Sequence, residues 1–286
     1  MSGDDTPLVA VTGTTGRLGS RVSQRLAAAG VEQLLVGRDP FRQPSLPRAH
    51  HRGPAEYADR EHMRHALHGA TSLFLVSASL SGRRLEEHAS VIDAAVEADV
   101  GQVVYVSLLG AAEDATYLHA RDHAQTERYL REAGVRWTVL RPSVYSSMLP
   151  GLADDEGVIR GPAGEGRLSA VAHDDIADVA VAVLLDGEGM YDSRVLEVTG
   201  PEALTLEEAA AVLSRVTARS VRYQPQTHEE AWAWRSGLDE DQDRVAGWVS
   251  WYDAIAAGEF AEVTDVVPAV TGHPATSLAE AVSREG

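Results

Sequence analysis

Along the first half of the chain, apolar residues come in short β-rich blocks separated by stretches where they recur every three or four positions. "LVAVTG" (8–13) is the first block, and Leu18, Val22, Leu26 and Ala29 follow at helical spacing until Gly30 ends the run. "EQLLVG" (32–37), "SLFLVS" (72–77), "QVVYVS" (102–107) and "WTVLRP" (137–142) repeat the strand pattern, and "RRLEEHASVIDAAVEA" (83–98) repeats the helical one. Strands alternating with helices pair in parallel, because each crossover helix returns the chain to the same end of the sheet. The pattern therefore predicts an α/β fold with a doubly wound parallel sheet. A third strand is expected within "RAHHRGPAEYAD" (48–59), although that segment is polar and a poor strand by composition.

After residue 145 the rhythm changes. "LPGLADDEGVIRGPAGEGR" (149–167) is rich in Gly and Pro and reads as loops and turns. "HDDIADVAVAVLL" (173–185) opens a helix with Asp174 or Asp175 as its cap. "RVLEVTGPEALTLEEAAAVLSRV" (194–216) gives a strand and a helix, with Thr205 and Glu208 at capping-box spacing, and Ser277 with Glu280 repeats the device. We expect residues 1–145 to form a dinucleotide-binding domain and residues 146–286 a smaller, mainly helical lobe that binds substrate. Some elements of that lobe are expected to return to the main sheet.

Charge narrows the partners. Asp and Glu number 43 against 25 Lys and Arg, a formal net charge of −18, which repels nucleic acid and anionic membranes. The chain has no cysteine, which excludes disulfides, thiolate metal sites and thiol nucleophiles and fits a reducing cytoplasm. The acidic start "MSGDDTPL" lacks the features of a signal peptide, and no apolar run approaches a membrane span. A cytoplasmic protein acting on a small molecule is expected; a homodimer is left open.

The sharpest motif is "VAVTGTTGRLGS" (9–20), in which Gly13, Gly16 and Gly19 follow a strand and open a helix. In such a turn the first glycine permits the bend and the second lets backbone approach a pyrophosphate. The third allows close packing, and the helix N-terminus offers free N–H groups to the phosphates. The end of the second strand chooses between cofactors: a carboxylate there binds the ribose hydroxyls of NAD, an arginine the 2′-phosphate of NADP. "VGRDP" offers both Arg38 and Asp39, but Arg38 continues the strand directly while Asp39 precedes Pro40 and is placed to cap a turn. Arg17 adds a positive charge within the loop, and NADP(H) is the expected cofactor.

With these residues, and with "HAQTERYLREAGVRWTVLRPSVY", "GPAGEGRLSAVAHDDIADVA", "LEVTGPEALTLEEAA" and "VTGHPATSLAEAV" in order along the chain, the sequence resembles the atypical short-chain dehydrogenases/reductases of the NmrA-like group. Within that group it is most similar to triphenylmethane reductase and the type 2 NADPH:quinone oxidoreductases. The resemblance implies a Rossmann-type domain holding NADP(H), with Gly13, Thr15, Gly16, Arg17, Leu18 and Arg38 at the pyrophosphate and adenosine end. It places Glu56 and Tyr57 beside the adenine, where the family usually has an Asp-Tyr pair. Ser77 and Ala78 would line the middle of the cofactor, and Ser107 and Tyr145 would lie near the nicotinamide. Pro142 and Ser143 stand where relatives often carry Asn after a Leu-Arg pair, a departure that bears on the substrate side.

Catalytic groups are fewer. Most short-chain dehydrogenases protonate through the tyrosine of Tyr-x-x-x-Lys, whose lysine lowers the phenol's pKa. This chain has no such motif; Tyr117 and Arg121 share its spacing, but arginine is a poor relay partner. His119, His123 and Glu127 recur at four-residue intervals on one helix face, and His123 is the preferred polar group near the nicotinamide. The two histidines lack an intervening glutamate and an evident third ligand, so no metal is expected. Trp248, Trp251, Tyr252 and Ile255 recur at helical spacing, as core packing or as an aromatic wall for a flat substrate. An electron-poor acceptor asks little of the protein beyond positioning the hydride. The expected function is therefore NADPH-dependent reduction of a quinone-like or other conjugated aromatic acceptor. Two alternatives stay open: a cofactor-sensing regulator without turnover, as the name-giving members of the group are, and a redox-neutral isomerase or cyclase.

Overall fold

A computed structural model describes residues 7–79, 82–238 and 241–285. The chain runs β1 (Leu8–Thr12), α1 (Arg17–Ala28), β2 (Glu32–Val36), β3 (Ala49–Arg52), α2 (Arg60–Leu67), β4 (Ser72–Leu75), α3 (Arg84–Glu97), β5 (Gln102–Val106), α4 (Leu118–Glu132) and β6 (Arg136–Pro142). It continues through β7 (Val158–Gly161), β8 (Arg167–Leu168), α5 (His173–Leu184), β9 (Arg194–Val198), β10 (Leu204–Thr205) and α6 (Leu206–Thr217). β11 (Arg222–Pro225), α7 (His228–Ser236), α8 (Gln242–Ala256), α9 (Val266–Thr271) and α10 (Leu278–Glu285) complete it. Two compact units emerge. The first takes the chain to Ser107, then His123–Leu140 and Ile176–Leu196; the second takes Leu108–Asp122, Arg141–Asp175 and the chain from Glu197. The boundary expected after Tyr145 falls inside the second unit, because the chain passes repeatedly from one unit to the other.

The main sheet has seven strands in the order β3-β2-β1-β4-β5-β6-β9. The pairings from β3 through β6 are parallel, with Val9 opposite both Gln33 and Ser72. Its inner strands are apolar at consecutive positions, Val9–Val11, Leu34–Val36 and Val103–Val106 being buried throughout. A sheet covered by helices on both faces buries both sets of side chains, so no alternation survives. β3 is polar because it is an edge strand: His50, His51 and Arg52 are exposed, and it pairs with β2 on one side only.

In the second unit, β8 and β10 form an antiparallel pair and β7 and β11 a parallel one. Leu168, Leu206, Leu213, Ile255 and Phe260 form its core together with Trp251 and Tyr252. Packing is close enough that a Cβ on Gly161 would stand 2.3 Å from the Tyr252 ring. The aromatic run on α8 thus packs chiefly as core, and Trp248 rests at the core's edge against Tyr252, 4.6 Å between ring centroids. Thr205 and Glu208 close the anticipated capping box on α6. Asp175 does not cap α5; its carboxylate accepts from Thr276 N and Oγ1, both at 2.7 Å. Among the described residues no helix is long and apolar enough to cross a membrane.

Candidate active site

β1, β2 and β4 end at one side of the sheet, where the strand order reverses between β1 and β4. In doubly wound sheets ligands bind in that crevice. Here it is a groove of about 540 Å³ within the first unit, lined in part by Gly13, Thr15, Arg38, Glu56, Tyr57, Ser77 and Ala78.

The glycine turn has the chemistry a pyrophosphate needs. Gly13 adopts φ +64°, and Gly16 N donates to its carbonyl at 2.9 Å, folding the chain over into α1. A Cβ on Gly19 would lie 2.4 Å from the Gly13 oxygen, so α1 can sit this close to β1 only with glycine there. Gly16 is the residue preceding the helix and supplies no side-chain cap, and the first turn carries no acid. The opening N–H groups and the helix dipole are therefore available to an anion. Thr15, Gly16 and Arg17 are exposed, while Leu18 and Gly19 are buried beneath them.

At the end of β2, the Asp39 carboxylate accepts from Phe41 N at 3.0 Å and caps the short turn Pro40–Arg42. That bond engages one carboxylate oxygen, and Asp39 lines the groove beside its neighbours. Arg38 and Arg42 both line the groove, giving it two guanidinium groups on this side. Arg42 was not singled out from the sequence; the signal was the cap-and-proline start at Asp39 and Pro40, which sets a tight turn and brings position 42 back beside position 39. Arg83 and Glu87, also in the lining, had no such signal.

Tyr57 reaches the groove with its hydroxyl already committed, 2.7 Å from both Thr12 Oγ1 and the Val76 carbonyl. Burial pushes its phenol well above the ordinary range, the bond with Thr12 opposing that rise. The ring therefore stands neutral and fixed at the groove, tied to the ends of two strands. Ser77 and Ala78 follow β4, and Ala78 N donates to His88 Nε2 at 2.8 Å.

Ser107, expected near the nicotinamide, and the residues expected to act in catalysis are not in the lining of this groove. Ser107 is buried at the end of β5 and donates to Glu127 Oε1 at 2.6 Å, while Arg131 donates to the other oxygen at 2.8 Å. His123 is 4% exposed and does not line the groove; it stands 2.8 Å from the Tyr105 hydroxyl and 3.0 Å from Arg84 Nη2. Tyr117, in the second unit, packs edge-on to His119 and Phe260. Arg121, at dehydrogenase spacing from it, donates to the Ala115 carbonyl at 2.7 Å. Tyr145, also in the second unit, faces His173 with ring centroids 4.4 Å apart. The groove thus gathers the cofactor candidates Gly13, Thr15, Arg38, Glu56, Tyr57, Ser77 and Ala78, with Gly16 to Gly19 forming the helix start beside it. Ser107, His123, Tyr117 and Tyr145 do not line it.

Strand order, glycine turn and guanidinium groups together define a dinucleotide-binding domain. The model of the NAD(P)H-binding family matches residues 13–187. Quinone oxidoreductase 2 of Escherichia coli is 32% identical over 96% of this chain and 98% of its own. The NAD(P)H azoreductase of Xenophilus azovorans is 30% identical over 96% of each chain. The structure of the NADPH-dependent quinone oxidoreductase of Escherichia coli, complexed with NADPH, superposes with a TM-score of 0.85 at 29% identity, covering 97% of this chain and 99% of that one. The chain belongs to the NAD(P)H-binding family, as an NmrA-like atypical short-chain dehydrogenase/reductase, and is an NAD(P)H-dependent oxidoreductase.

Proposed function

We propose that the protein is an NADPH-dependent reductase of a quinone-like or other conjugated aromatic acceptor. The observation that carries the NADPH reading is the end of β2, where Arg38 and Arg42 bring two guanidinium groups to the groove against the single carboxylate of Asp39, which also caps its own turn. The bound cofactor would supply the hydride. Gly13 to Gly19 would hold its pyrophosphate through backbone N–H groups, with Arg38 and Arg42 holding the 2′-phosphate. The Tyr57 ring would serve the adenine side with Glu56, and the Ser77–Ala78 backbone would support the middle of the cofactor. Domain roles follow the same reading, the acceptor being served by residues 146–286 with Tyr145 at its edge.

Acceptors that take hydride at an electron-poor conjugated carbon suit a chain without Tyr-x-x-x-Lys, because protonation can follow from water. The names of the relatives, a quinone oxidoreductase and an azoreductase, support the same acceptor class. A cytoplasmic setting goes with a chain that holds no cysteine. The test is oxidation of NADPH by the purified protein with a panel of quinones and azo dyes. Tight NADPH binding with no turnover across the panel would return the reading to a cofactor-sensing regulator.

A further inference from the structure

Beneath the groove lies a buried polar chain that the cofactor reading does not use. His88, on α3, is fully buried, and its Nε2 is 2.8 Å from Ala78 N. A backbone N–H can only donate, so Nε2 accepts and carries no proton. The proton of the neutral ring is then on Nδ1, 2.9 Å from Thr126 Oγ1. The same reasoning fixes the next ring. Arg84 Nη2 is a donor 3.0 Å from His123 Nε2, so His123 is also neutral, its Nδ1 proton directed at the Tyr105 hydroxyl 2.8 Å away. Thr126 and Tyr105 have no exposed surface, and Arg84 is 6% exposed.

Groups on three elements bear on the charge of His88. From α3 come the Arg84 guanidinium and Glu87, which lines the groove. From β5 comes Tyr105, whose ring meets His88 edge-on at 5.5 Å and whose hydroxyl lies 3.4 Å from its Nδ1, farther than Thr126 Oγ1. From α4 come His123, Thr126 and Glu127, the last accepting bonds from Ser107 and Arg131. A proton added to His88 would go to Nε2. It would remove the acceptor of Ala78 N–H, set two donors against each other, and place a second cation in the buried chain that holds Arg84. Ala78 is flanked by Ser77 and Ser79, and all three line the groove.

We propose that His88 is a positioning residue for the cofactor: its neutral imidazole, accepting from Ala78 N–H, fixes the Ser77–Ser79 backbone that lines the groove. The inference rests on the reading that this groove takes NADP(H). The experiment titrates NADPH by fluorescence against wild type, His88→Gln and His88→Leu at one pH near neutrality. A glutamine carbonyl can accept from Ala78 N–H, whereas leucine cannot. His88→Leu should therefore bind NADPH about three- to tenfold more weakly than wild type, and His88→Gln should restore most of that loss. Nitrogen-15 shifts of the wild-type ring without cofactor should show a neutral His88 protonated on Nδ1, a readout that stands even where His88→Leu does not fold. Equal affinities for wild type and His88→Leu, equal losses for the two variants, or a ring protonated on Nε2, would overturn the proposal while leaving the cofactor reading intact. Absence of NADPH binding by wild type would overturn both.

Discussion

Ser107 Oγ donates to Glu127 Oε1 at 2.6 Å, joining the end of β5 to a carboxylate on α4 that has no exposed surface. Arg131 donates to the second oxygen, so the buried charge is compensated from both sides. The serine read as a nicotinamide neighbour thus already has its proton engaged, and its remaining capacity is as an acceptor.

Glu127→Gln should therefore destabilise the fold by about 1–3 kcal/mol, since charge-assisted bonds become neutral ones in a buried site. Urea unfolding monitored by circular dichroism checks this. An unchanged midpoint would show that the charge of Glu127 contributes nothing to stability.

Arg38→Asp should raise the dissociation constant for NADPH by about ten- to a hundredfold, the worth of charge-assisted bonds to a phosphate. NADH affinity should stay within about threefold, because NADH lacks that phosphate. Arg42→Ala should act in the same direction and by less. Equal losses for the two cofactors would remove Arg38 from the 2′-phosphate site.

At Gly19, alanine would bring a Cβ within 2.4 Å of the Gly13 oxygen. The neighbouring atom is backbone, so α1 must shift away from the turn. Gly19→Ala is expected to cost about 1–3 kcal/mol of stability and to weaken NADPH binding at the same time. Both effects can be read from thermal melts with and without cofactor. Loss of stability with full retention of affinity would mean that the turn does not cradle phosphate.

Glu197 offers a pH test in the second unit. Burial raises its pKa, and the Glu262 carboxyl beside it adds to that rise while Arg141 opposes it. The folded state thus holds its proton to higher pH than the unfolded chain does. From the ordinary glutamate value of about 4.5 upward, stability should fall as pH rises through the folded pKa. Glu197→Gln should remove this slope, making the variant more stable than wild type near neutral pH and leaving no gain at the acid end. Urea midpoints across pH for both proteins decide it, and identical slopes would count against the carboxyl pair.

The sheet was legible in the sequence because buried parallel strands leave unbroken apolar runs, as at Leu34–Val36 and Val103–Val106. β3 was placed by the repeat of the fold and not by its residues, which an edge strand leaves free to be polar. The glycine turn was legible because its spacing follows from steric need at Gly13 and Gly19. Asp39 was read as a turn cap from Pro40 alone, and the bond to Phe41 N is there.

Contacts between residues distant along the chain were less legible. The His88–Ala78 bond joins a loop to a helix, and the Arg84–His123 bond joins two helices. Helical periodicity puts His119, His123 and Glu127 on one stripe without saying which neighbour each meets. His119 lies against Gly247 of α8, whereas His123 is enclosed with Arg84 and Tyr105. Asp175 looked like a helix cap because its partner Thr276 stands so far along the chain.

The most direct measurement of the central claim is steady-state oxidation of NADPH and of NADH by the purified protein with the same quinone acceptors. The expected result is turnover with both, with kcat/KM for NADPH at least about tenfold above that for NADH. Equal values for the two cofactors, or no oxidation of NADPH with any acceptor, would contradict it.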